Sequence, residues 1–363
     1  MPEIQLPQSM PWIESPLFEE LLAARTVTDR EKDLCRRYRR DGYLILDENI
    51  LDRTDVRTAD EYVVRHFDPT AGRLLDAWVA SPAIRAIATH ERVLEVLRLL
   101  YGREPVPFQT LNFLTGTEQA THSDYIHFAT LPARFMCGVW VALEDITLAQ
   151  GPLHYFPGSH SLPEYDYYDL GIADEYLHPS DAYVGPLDWS NPRTREKYSR
   201  YEERIARVAR VHGFAQQQFE VKKGQLLIWS SNLLHGGSKI MELTTTRRSQ
   251  VTHYFFEDTI PITPMHSNPK AGDYMVRDAT NIRTMKPMKR SFGGLPFHEY
   301  PSTIPGRTRF VFGEAAVPPL SEEDRARSYF ERYPDVAASA YGRTLDGARR
   351  HFELAGKTEG RRF

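Results

Sequence analysis

Two histidines and an aspartate have the types and the spacing to hold a metal ion. His122 and Asp124 are separated by one residue in the sequence THSD. On an extended backbone, residues i and i+2 point to the same face, so the imidazole and the carboxylate can converge on one point. His235, which follows a hydrophobic run and precedes two glycines, is the expected third ligand. Two imidazoles and one carboxylate on one face of a metal form the facial triad that suits Fe(II) and leaves positions open for other ligands.

An arginine and a serine downstream of His235 add a second chemical feature. In the strand-like run TRRSQVTHY, alternation puts Arg247, Ser249 and His253 on one face and Arg248 on the other. An arginine that faces a core is costly unless its guanidinium meets an anion, and its planar fork suits a carboxylate. We therefore expect Arg247, with Ser249, to bind the distal carboxylate of a dicarboxylic co-substrate, while the other arginine of the pair faces solvent.

The elements that must position these residues change character near residue 106. Before it, residues 15–40 contain a charged helical stretch, and GYLILDENIL predicts a strand that leads into a loop. Residues 83–101 predict one packed amphipathic helix that ends at Gly102. After it, short strand-like runs follow one another without intervening helices, which indicates an antiparallel sandwich or barrel and not a βαβ fold. These runs are VPFQTLNFL, FMCGVWVALE, GPLHYFPGS, GQLLIWSS and RSQVTHYFFE. The expected fold class is mainly β with flanking helices.

Three regions are predicted along the chain. Residues 1–105 form helices and strands that pack on the core, residues 106–260 form the catalytic β core, and residues 261–363 form a wrapping segment with a helical extension. A polar insert rich in Tyr and Asp at 161–213 is long for a compact β domain, as a lid over a binding site would be. The extension has two possible interpretations. It is a helical cap on the main domain, or it is a short repeat of the kind found at the ends of bacterial proteins, some of them linked to surface glycans.

Between Gln109 and Tyr254 the motifs resemble those of the phytanoyl-CoA dioxygenase family in both order and spacing. They are the HxD at His122, the PGSH ending at His160, the run ending in LLHGGS and the run TRRSQVTHYF. The resemblance implies a double-stranded β-helix (jelly-roll, cupin-like) core in which His122, Asp124 and His235 bind Fe(II). It also implies 2-oxoglutarate as co-substrate and O2 as oxidant.

The same resemblance implies that Arg247 and Ser249 bind the far carboxylate of 2-oxoglutarate, with Trp140 against the co-substrate and an amide from Gln109 or Asn112 nearby. A halogenase is disfavoured, because halide needs the ligand position that Asp124 occupies. His160 is expected to be a structural residue near the rim, and His127 an ordinary partly buried side chain. The role of His253, in the core or beside the co-substrate, stays open.

Composition excludes several other classes of partner. The formal net charge is -4, so no bulk basic field predicts nucleic-acid binding. No apolar run approaches the roughly 20 residues that a transmembrane helix needs, and the start of the chain has no secretory pattern. The two cysteines, Cys35 and Cys137, fit no redox or metal spacing, so the cytoplasm is the expected compartment. We expect a small-molecule or carrier-bound substrate. The sequence contains no feature from which an oligomeric state can be predicted.

Two other functions remain open from the sequence. One is a cupin-like metal-dependent hydrolase or isomerase, which would share the barrel and the histidines but has no need of an arginine that binds a dicarboxylate. The other is a non-catalytic jelly-roll binding protein of a glycan pathway, which an intact set of metal ligands argues against. The sequence therefore favours a 2-oxoglutarate-dependent dioxygenase that acts as a hydroxylase.

Overall fold

The described residues fall into two compact units. A computed structural model describes residues 7–47, 50–172, 192–302, 306–313, 322–341, 343–356 and 361. The first unit comprises Met1–Tyr165, Tyr198–Pro261 and Asp278–Gly293, and the second Asp166–Lys197, Ile262–Arg277 and Gly294–Phe363. Every residue proposed from the sequence as a metal or co-substrate ligand belongs to the first unit. The three predicted regions of the chain stay a prediction.

Five helices precede the β core, and local capping sets their ends. Thr28 and Glu31 form a reciprocal capping box at the start of the second helix, which ends at Gly42 in the left-handed conformation, with φ 78°. Asp52 caps the third helix through two backbone N–H groups. The helices are α1 (Phe18–Ala24), α2 (Asp29–Asp41), α3 (Arg53–His66), α4 (Pro82–Ala88) and α5 (Glu91–Tyr101).

The single helix predicted over 83–101 is wrong, because the structure divides this stretch into α4 and α5. Thr89 ends α4, and its hydroxyl donates to the carbonyl of Arg85. His90 has an extended backbone and α5 begins directly after it. The hydrophobic residues keep a helical spacing across the break, which is why the pattern does not reveal it.

The β core contains one large and one small sheet. The strands of the first half are β1 (Tyr43–Leu46), β2 (Leu74–Leu75), β3 (Pro105–Phe113), β4 (Ala129–Leu131), β5 (Met136–Ala142) and β6 (Leu153–Tyr155). After helix α6 (Pro192–Val211) come β7 (Gln217–Gln218), β8 (Leu226–Ser230), β9 (His235–Gly237), β10 (Ser249–Phe256) and β11 (Ile260–Ile262). The large sheet has the order β1-β8-β5-β10-β3-β2, and the small one β7-β6-β9.

The two sheets share one apolar interior. Trp140 and Leu227 of the large sheet belong to the same buried cluster as Tyr155 of the small sheet, and the rings of Tyr43 and Tyr155 are 4.6 Å apart. The pairing of β10 with β3 and β5 and of β5 with β8 is antiparallel throughout. This double-stranded β-helix with flanking helices confirms the predicted fold class.

The other face of the large sheet is covered by the N-terminal helices. Val139, Val141 and Ile228 point to that face and belong to a second buried cluster with residues of α1 to α5. Side chains therefore alternate between a helix-covered face and the interior of the jelly roll. The short strands β12 (Thr280–Asn281) and β13 (Lys286–Pro287) form a separate antiparallel pair.

The second unit has its own small core. An antiparallel hairpin joins β14 (Phe297–Pro301) to β15 (Thr308–Phe312). The helices α7 (Glu322–Arg332), α8 (Pro334–Ala337) and α9 (Leu345–His351) follow, and they bury Tyr329, Phe330 and Val336. Among the described residues, no helix combines the length and the apolar composition that crossing a bilayer requires.

Candidate metal centre

The small sheet brings the three predicted metal ligands together. His235 is the first residue of β9, and it pairs with His122 through backbone N–H···O bonds of 2.9 and 3.0 Å. Asp124 lies in the single 3₁₀ turn that follows, where Ser123 caps the turn through the N–H of Tyr125. One ligand atom from each of His122, Asp124 and His235 lies within 4.8 Å of the others. All three side chains are buried.

Backbone carbonyls orient both imidazole rings. Nδ1 of His122 is 2.9 Å from the carbonyl of Ala120, and Nδ1 of His235 is 2.9 Å from the carbonyl of Leu233. Because a carbonyl can only accept, these bonds assign the proton to Nδ1 in each ring. Each Nε2 therefore presents a lone pair toward Asp124, as metal-binding histidines do.

The carboxylate of Asp124 divides its two oxygens between different partners. Oδ1 is 3.7 Å from Nε2 of His122 and 3.8 Å from Nε2 of His235. Oδ2 accepts a 2.8 Å hydrogen bond from the indole N–H of Trp229. The indole lies over Gly138 of the neighbouring strand, where a Cβ would be 2.2 Å from the ring. A glycine is thus required on β5 for Trp229 to hold the carboxylate.

Burial and mutual charge set the protonation of the three ligands. Burial, with the neighbouring His122, lowers the pKa of His235 to about 4, so this ring is neutral at pH 7. Burial would raise the pKa of Asp124, but the nearby histidines, above all His235, hold it below its ordinary value. The pKa of His122 is raised, because Asp124 outweighs the effect of burial. The ionised aspartate and the neutral His235 are therefore in the forms that bind a metal.

Arg247 is buried, and the described residues place no carboxylate within ion-pair distance of its guanidinium. Its side chain is 2% exposed, and neither Nε nor Nη1 has a hydrogen-bond partner among the described residues. Burial lowers the pKa of Arg247 to about 10. Its guanidinium lies 5.8 Å from the ring centre of Phe113 and 6.0 Å from that of Trp140. A buried cation without an anion is costly, so this arrangement fits an anionic ligand that would sit beside the guanidinium.

The next arginine has the opposite environment. Arg248 donates to Asp60 over 2.5 Å and lies 3.0 Å from Glu144. The alternation predicted for TRRSQ therefore puts Arg247 inside, but Arg248 is held by two carboxylates and does not extend freely into solvent.

Two more buried polar groups lie on the same face as Arg247. The hydroxyl of Ser249 and the indole N–H of Trp140 have no hydrogen-bond partner within the described parts of the chain. Ser249 opens β10, and Trp140 pairs with Val251 two residues further along that strand. A carboxylate next to Arg247 could accept hydrogen bonds from groups of this kind.

The two amides predicted near the co-substrate have different positions. Gln109 of β3 is the cross-strand partner of His253 of β10, and its Oε1 is 3.2 Å from Nδ1 of that histidine. Asn112 points to the helix-covered face, where its amide donates to Gln250 over 3.4 Å. The structure therefore brings Gln109 toward the metal ligands and places Asn112 away from them. His253 itself faces the site, with Nε2 3.7 Å from Oδ2 of Asp124.

Several residues near the triad carry no sequence signal. Trp229 lies in a uniformly hydrophobic strand, and nothing in that strand indicates which residue meets Asp124. Tyr198, in α6, forms hydrogen bonds with Gln119 and His127, and no motif marks it. For Gln119 there is a weak signal, because it precedes the metal ligand His122 by only three residues. The histidine of the PGSH motif, His160, binds the carbonyl of Arg39 and is structural, as expected.

Comparison with known proteins identifies the family. The family model described as Phytanoyl-CoA dioxygenase (PhyH) matches residues 30–248, so the chain belongs to that family. Phytanoyl-CoA dioxygenase domain-containing protein 1 from Bos taurus is 33% identical over 84 residues, which are 22% of this chain and 29% of the relative. The protein of that name from Mus musculus is 32% identical over the same shares. The match thus spans less than a third of the length of these relatives.

Solved structures with a similar fold include SnoN and EctD. The epimerase SnoN, in complex with Fe3+, alpha ketoglutarate and nogalamycin RO, has a TM-score of 0.46 at 20% identity, covering 64% of this chain and 85% of SnoN. EctD from S. alaskensis, with 2-oxoglutarate and 5-hydroxyectoine, has a TM-score of 0.46 at 19% identity, covering 66% of this chain and 79% of EctD.

Proposed function

We propose that this protein is an Fe(II)- and 2-oxoglutarate-dependent oxygenase that hydroxylates a small-molecule or carrier-bound substrate. Oxidative decarboxylation of 2-oxoglutarate to succinate and CO2 would accompany the hydroxylation. Membership of the phytanoyl-CoA dioxygenase family supports the class of reaction. The buried set of two histidines and one aspartate supports the metal, since this ligand set suits Fe(II).

The observation that carries the proposal is the buried guanidinium of Arg247, in which Nε and Nη1 have no hydrogen-bond partner among the described residues. Arg247 precedes β10 by two residues and continues the alternation of the interior face, on which His253 reaches the Asp124 carboxylate. Along a strand, the stretch from 247 to 253 spans about 20 Å between Cα atoms, part of which the long arginine side chain bridges. A dicarboxylic acid with one end at the metal and the other at Arg247 fits this arrangement. A hydrolase or isomerase would leave the buried cation without a function.

The chain's own residues would perform three tasks. His122, Asp124 and His235 would hold the metal on one side, and Trp229 would fix the carboxylate through Oδ2 so that Oδ1 faces the ion. Arg247 and Ser249 would orient the co-substrate through its far carboxylate. The burial of these groups would exclude water, which strengthens each charge interaction. Iron bound here would supply the activation of dioxygen, and 2-oxoglutarate the two electrons that this activation requires.

The affinity for 2-oxoglutarate provides the test, with the neighbouring arginine as a matched control. We expect Arg247→Ala to weaken 2-oxoglutarate binding by at least tenfold, because a charged hydrogen bond contributes about 1.5–3 kcal/mol. Binding of Mn(II), used as a redox-inert metal, should remain, since Arg247 does not touch the metal ligands. Arg248→Ala removes an arginine whose charge Asp60 and Glu144 already balance. It should therefore leave the affinity for 2-oxoglutarate unchanged.

Calorimetric titration of both variants and the unmodified protein measures these affinities, and thermal unfolding confirms that the variants are folded. Fe(II)-dependent formation of succinate from 2-oxoglutarate is the matching turnover assay, and His122→Ala should abolish it. Equal 2-oxoglutarate affinity in the Arg247→Ala variant and the unmodified protein would refute the binding role of Arg247. Absence of 2-oxoglutarate binding to the metal-loaded protein would refute the function.

A further inference from the structure

Three polar side chains meet beside the metal ligands and belong to neither the triad nor the Arg247 cluster. The amide nitrogen of Gln119 donates to the hydroxyl of Tyr198 over 3.2 Å. The same hydroxyl is 3.0 Å from Nε2 of His127. Tyr198 is buried and lies in the first half of α6, so that this helix reaches the loop around the HxD motif. Gln119, His127 and Tyr198 are called the polar cluster below.

The polar cluster lies on the metal-facing side of the triad. The amide nitrogen of Gln119 is 3.3 Å from Nε2 of His122, the atom that would bind the metal. The ring of His127 is 6.5 Å from that of His122. A molecule held by the polar cluster would therefore lie next to the coordination positions that the three protein ligands leave open.

The polar cluster and Arg247 lie at opposite ends of the site. Arg247 lies just before β10; within the strand, on the interior face, His253 lies beside Asp124 and Phe255 comes last. Phe255 shares a buried cluster with Phe128, which follows His127 directly in the chain. The polar cluster is thus on the side of the triad that the co-substrate proposed for Arg247 does not use.

The chemistry of the polar cluster selects for a particular kind of molecule. An amide, an imidazole and a phenol can each exchange donor and acceptor roles with a hydroxyl group. Glu202, one helical turn after Tyr198, is half-buried and brings a carboxylate to the same side of α6. Its charge disfavours an anionic group here. An alkyl chain can neither donate a hydrogen bond to the amide, the imidazole and the phenol nor accept one from them, whereas a hydroxyl group can do both.

We infer that Gln119, His127 and Tyr198 bind the primary substrate, and that this substrate is a neutral, hydroxyl-rich molecule of the sugar or polyol class. The inference rests on the proposed function, because it assigns the second ligand of the same site. Tyr198 is a specificity-determining residue on α6: its hydroxyl connects the amide and the imidazole, and a substrate hydroxyl would join or replace it in that network. A site built around such hydrogen bonds discriminates strongly against molecules that cannot form them.

Binding without turnover tests the inference. The full chain is loaded with Zn(II) and 2-oxoglutarate, and saturation-transfer NMR follows three probes: methyl α-D-glucopyranoside, myo-inositol and octanoyl-CoA. We expect the two hydroxylated probes to bind and octanoyl-CoA not to bind. Tyr198→Phe should weaken the bound probes about tenfold, the loss of one buried hydrogen bond, and leave the affinity for 2-oxoglutarate unchanged. Tyr62→Phe, which removes a hydroxyl from α3 outside the site, is the matched control and should bind all ligands normally.

The outcomes separate this inference from the function on which it rests. Binding of octanoyl-CoA, or hydroxylated probes that neither bind nor respond to Tyr198→Phe while 2-oxoglutarate still binds, would overturn the substrate class alone. A protein that fails to bind 2-oxoglutarate in the presence of metal would instead overturn the proposed function. Thermal unfolding of each variant ensures that a lost affinity does not reflect a lost fold.

Discussion

Trp229 fixes the direction of the only carboxylate in the candidate triad. A carboxylate that binds a metal through one oxygen can rotate unless the other oxygen is also held, and Trp229 holds Oδ2 of Asp124 at 2.8 Å. The indole can take this position only because Gly138 has no side chain. The pair Gly138 and Trp229 therefore supports the metal site, although neither residue would touch the metal.

We expect Trp229→Phe to weaken metal binding by about 10- to 100-fold, because groups that orient metal ligands contribute affinities of this order. The ring would still fill the space over Gly138, so the fold should be retained. Titration with Mn(II) measures the change. Trp78→Phe is the control: Trp78 also donates to an aspartate, Asp76, but lies outside the site. If Trp78→Phe weakened Mn(II) binding as much as Trp229→Phe, the loss would not come from Asp124.

At the scale of residues, the sequence predicts the groups that are close together in the chain. His122 and Asp124 can be paired from their spacing, and Arg247 with Ser249 from their shared face. Trp229 and Tyr198 cannot be predicted, because they reach the site through strand pairing and helix packing across more than 70 positions. The same limit explains Asn112: one position along β3 decides between the interior and the helix-covered face.

At the scale of elements, the join between α2 and β1 depends on a close contact with the PGSH turn. Gly42 ends α2 with φ 78°, and a Cβ there would be 2.4 Å from the ring of His160. His160 in turn binds the carbonyl of Arg39 in the last turn of α2. The PGSH motif thus anchors the first strand of the large sheet to the N-terminal helices.

Gly42→Ala should lower the free energy of unfolding by about 2–4 kcal/mol. About 1 kcal/mol comes from the left-handed backbone and the remainder from the contact with His160. Gly72→Ala is a matched control, because Gly72 has φ 67° and a Cβ added there would meet nothing within 4 Å. Urea unfolding of both variants separates the two effects. A loss in Gly42→Ala no larger than that in Gly72→Ala would show that His160 moves aside at no cost.

The elements can be predicted where a periodic pattern has a clear end. Gly102 ends α5 as expected, and Gly42 ends α2 in the same left-handed conformation. The sequence places the HxD motif at the end of a strand, but only His122 is paired, and Asp124 lies in a turn. The expected strand and the observed turn each bring the side chains of His122 and Asp124 to one point. The sequence can therefore suggest the site without determining its local backbone structure. Residues 173–191 of the predicted lid lie outside the described residues.

At the scale of the whole molecule, one half-buried cation links segments that are far apart in the sequence. Arg134 forms a 2.6 Å ion pair with Glu14 and donates to the carbonyls of His160 and Leu162. Glu164 lies near the same guanidinium, and Arg134 thus faces two carboxylates. Burial is the main cause that raises the pKa of Glu164, to about 7, and the charge of Glu14 contributes.

This shift makes the stability of the folded chain depend on pH in a predictable direction. The unfolded chain releases the Glu164 proton near pH 4.5, whereas the folded chain keeps it up to about pH 7. The unfolded state therefore gains more from ionisation as the pH rises from 4.5 to 7, and the free energy of unfolding falls across that window. Glu164→Gln removes the ionisation in both states and should remove this loss.

We expect the free energy of unfolding of Glu164→Gln, relative to the unmodified protein, to rise by about 1–2 kcal/mol from pH 4.5 to pH 7.5. This is less than the full shift implies, because part of the side chain reaches solvent. Urea unfolding at several pH values, without metal, measures it. His154 and His160, whose pKa values burial lowers to about 4, give both proteins the opposite slope, which cancels in the difference. A flat difference for Glu164→Gln would mean that Glu164 ionises in the folded chain as it does in water.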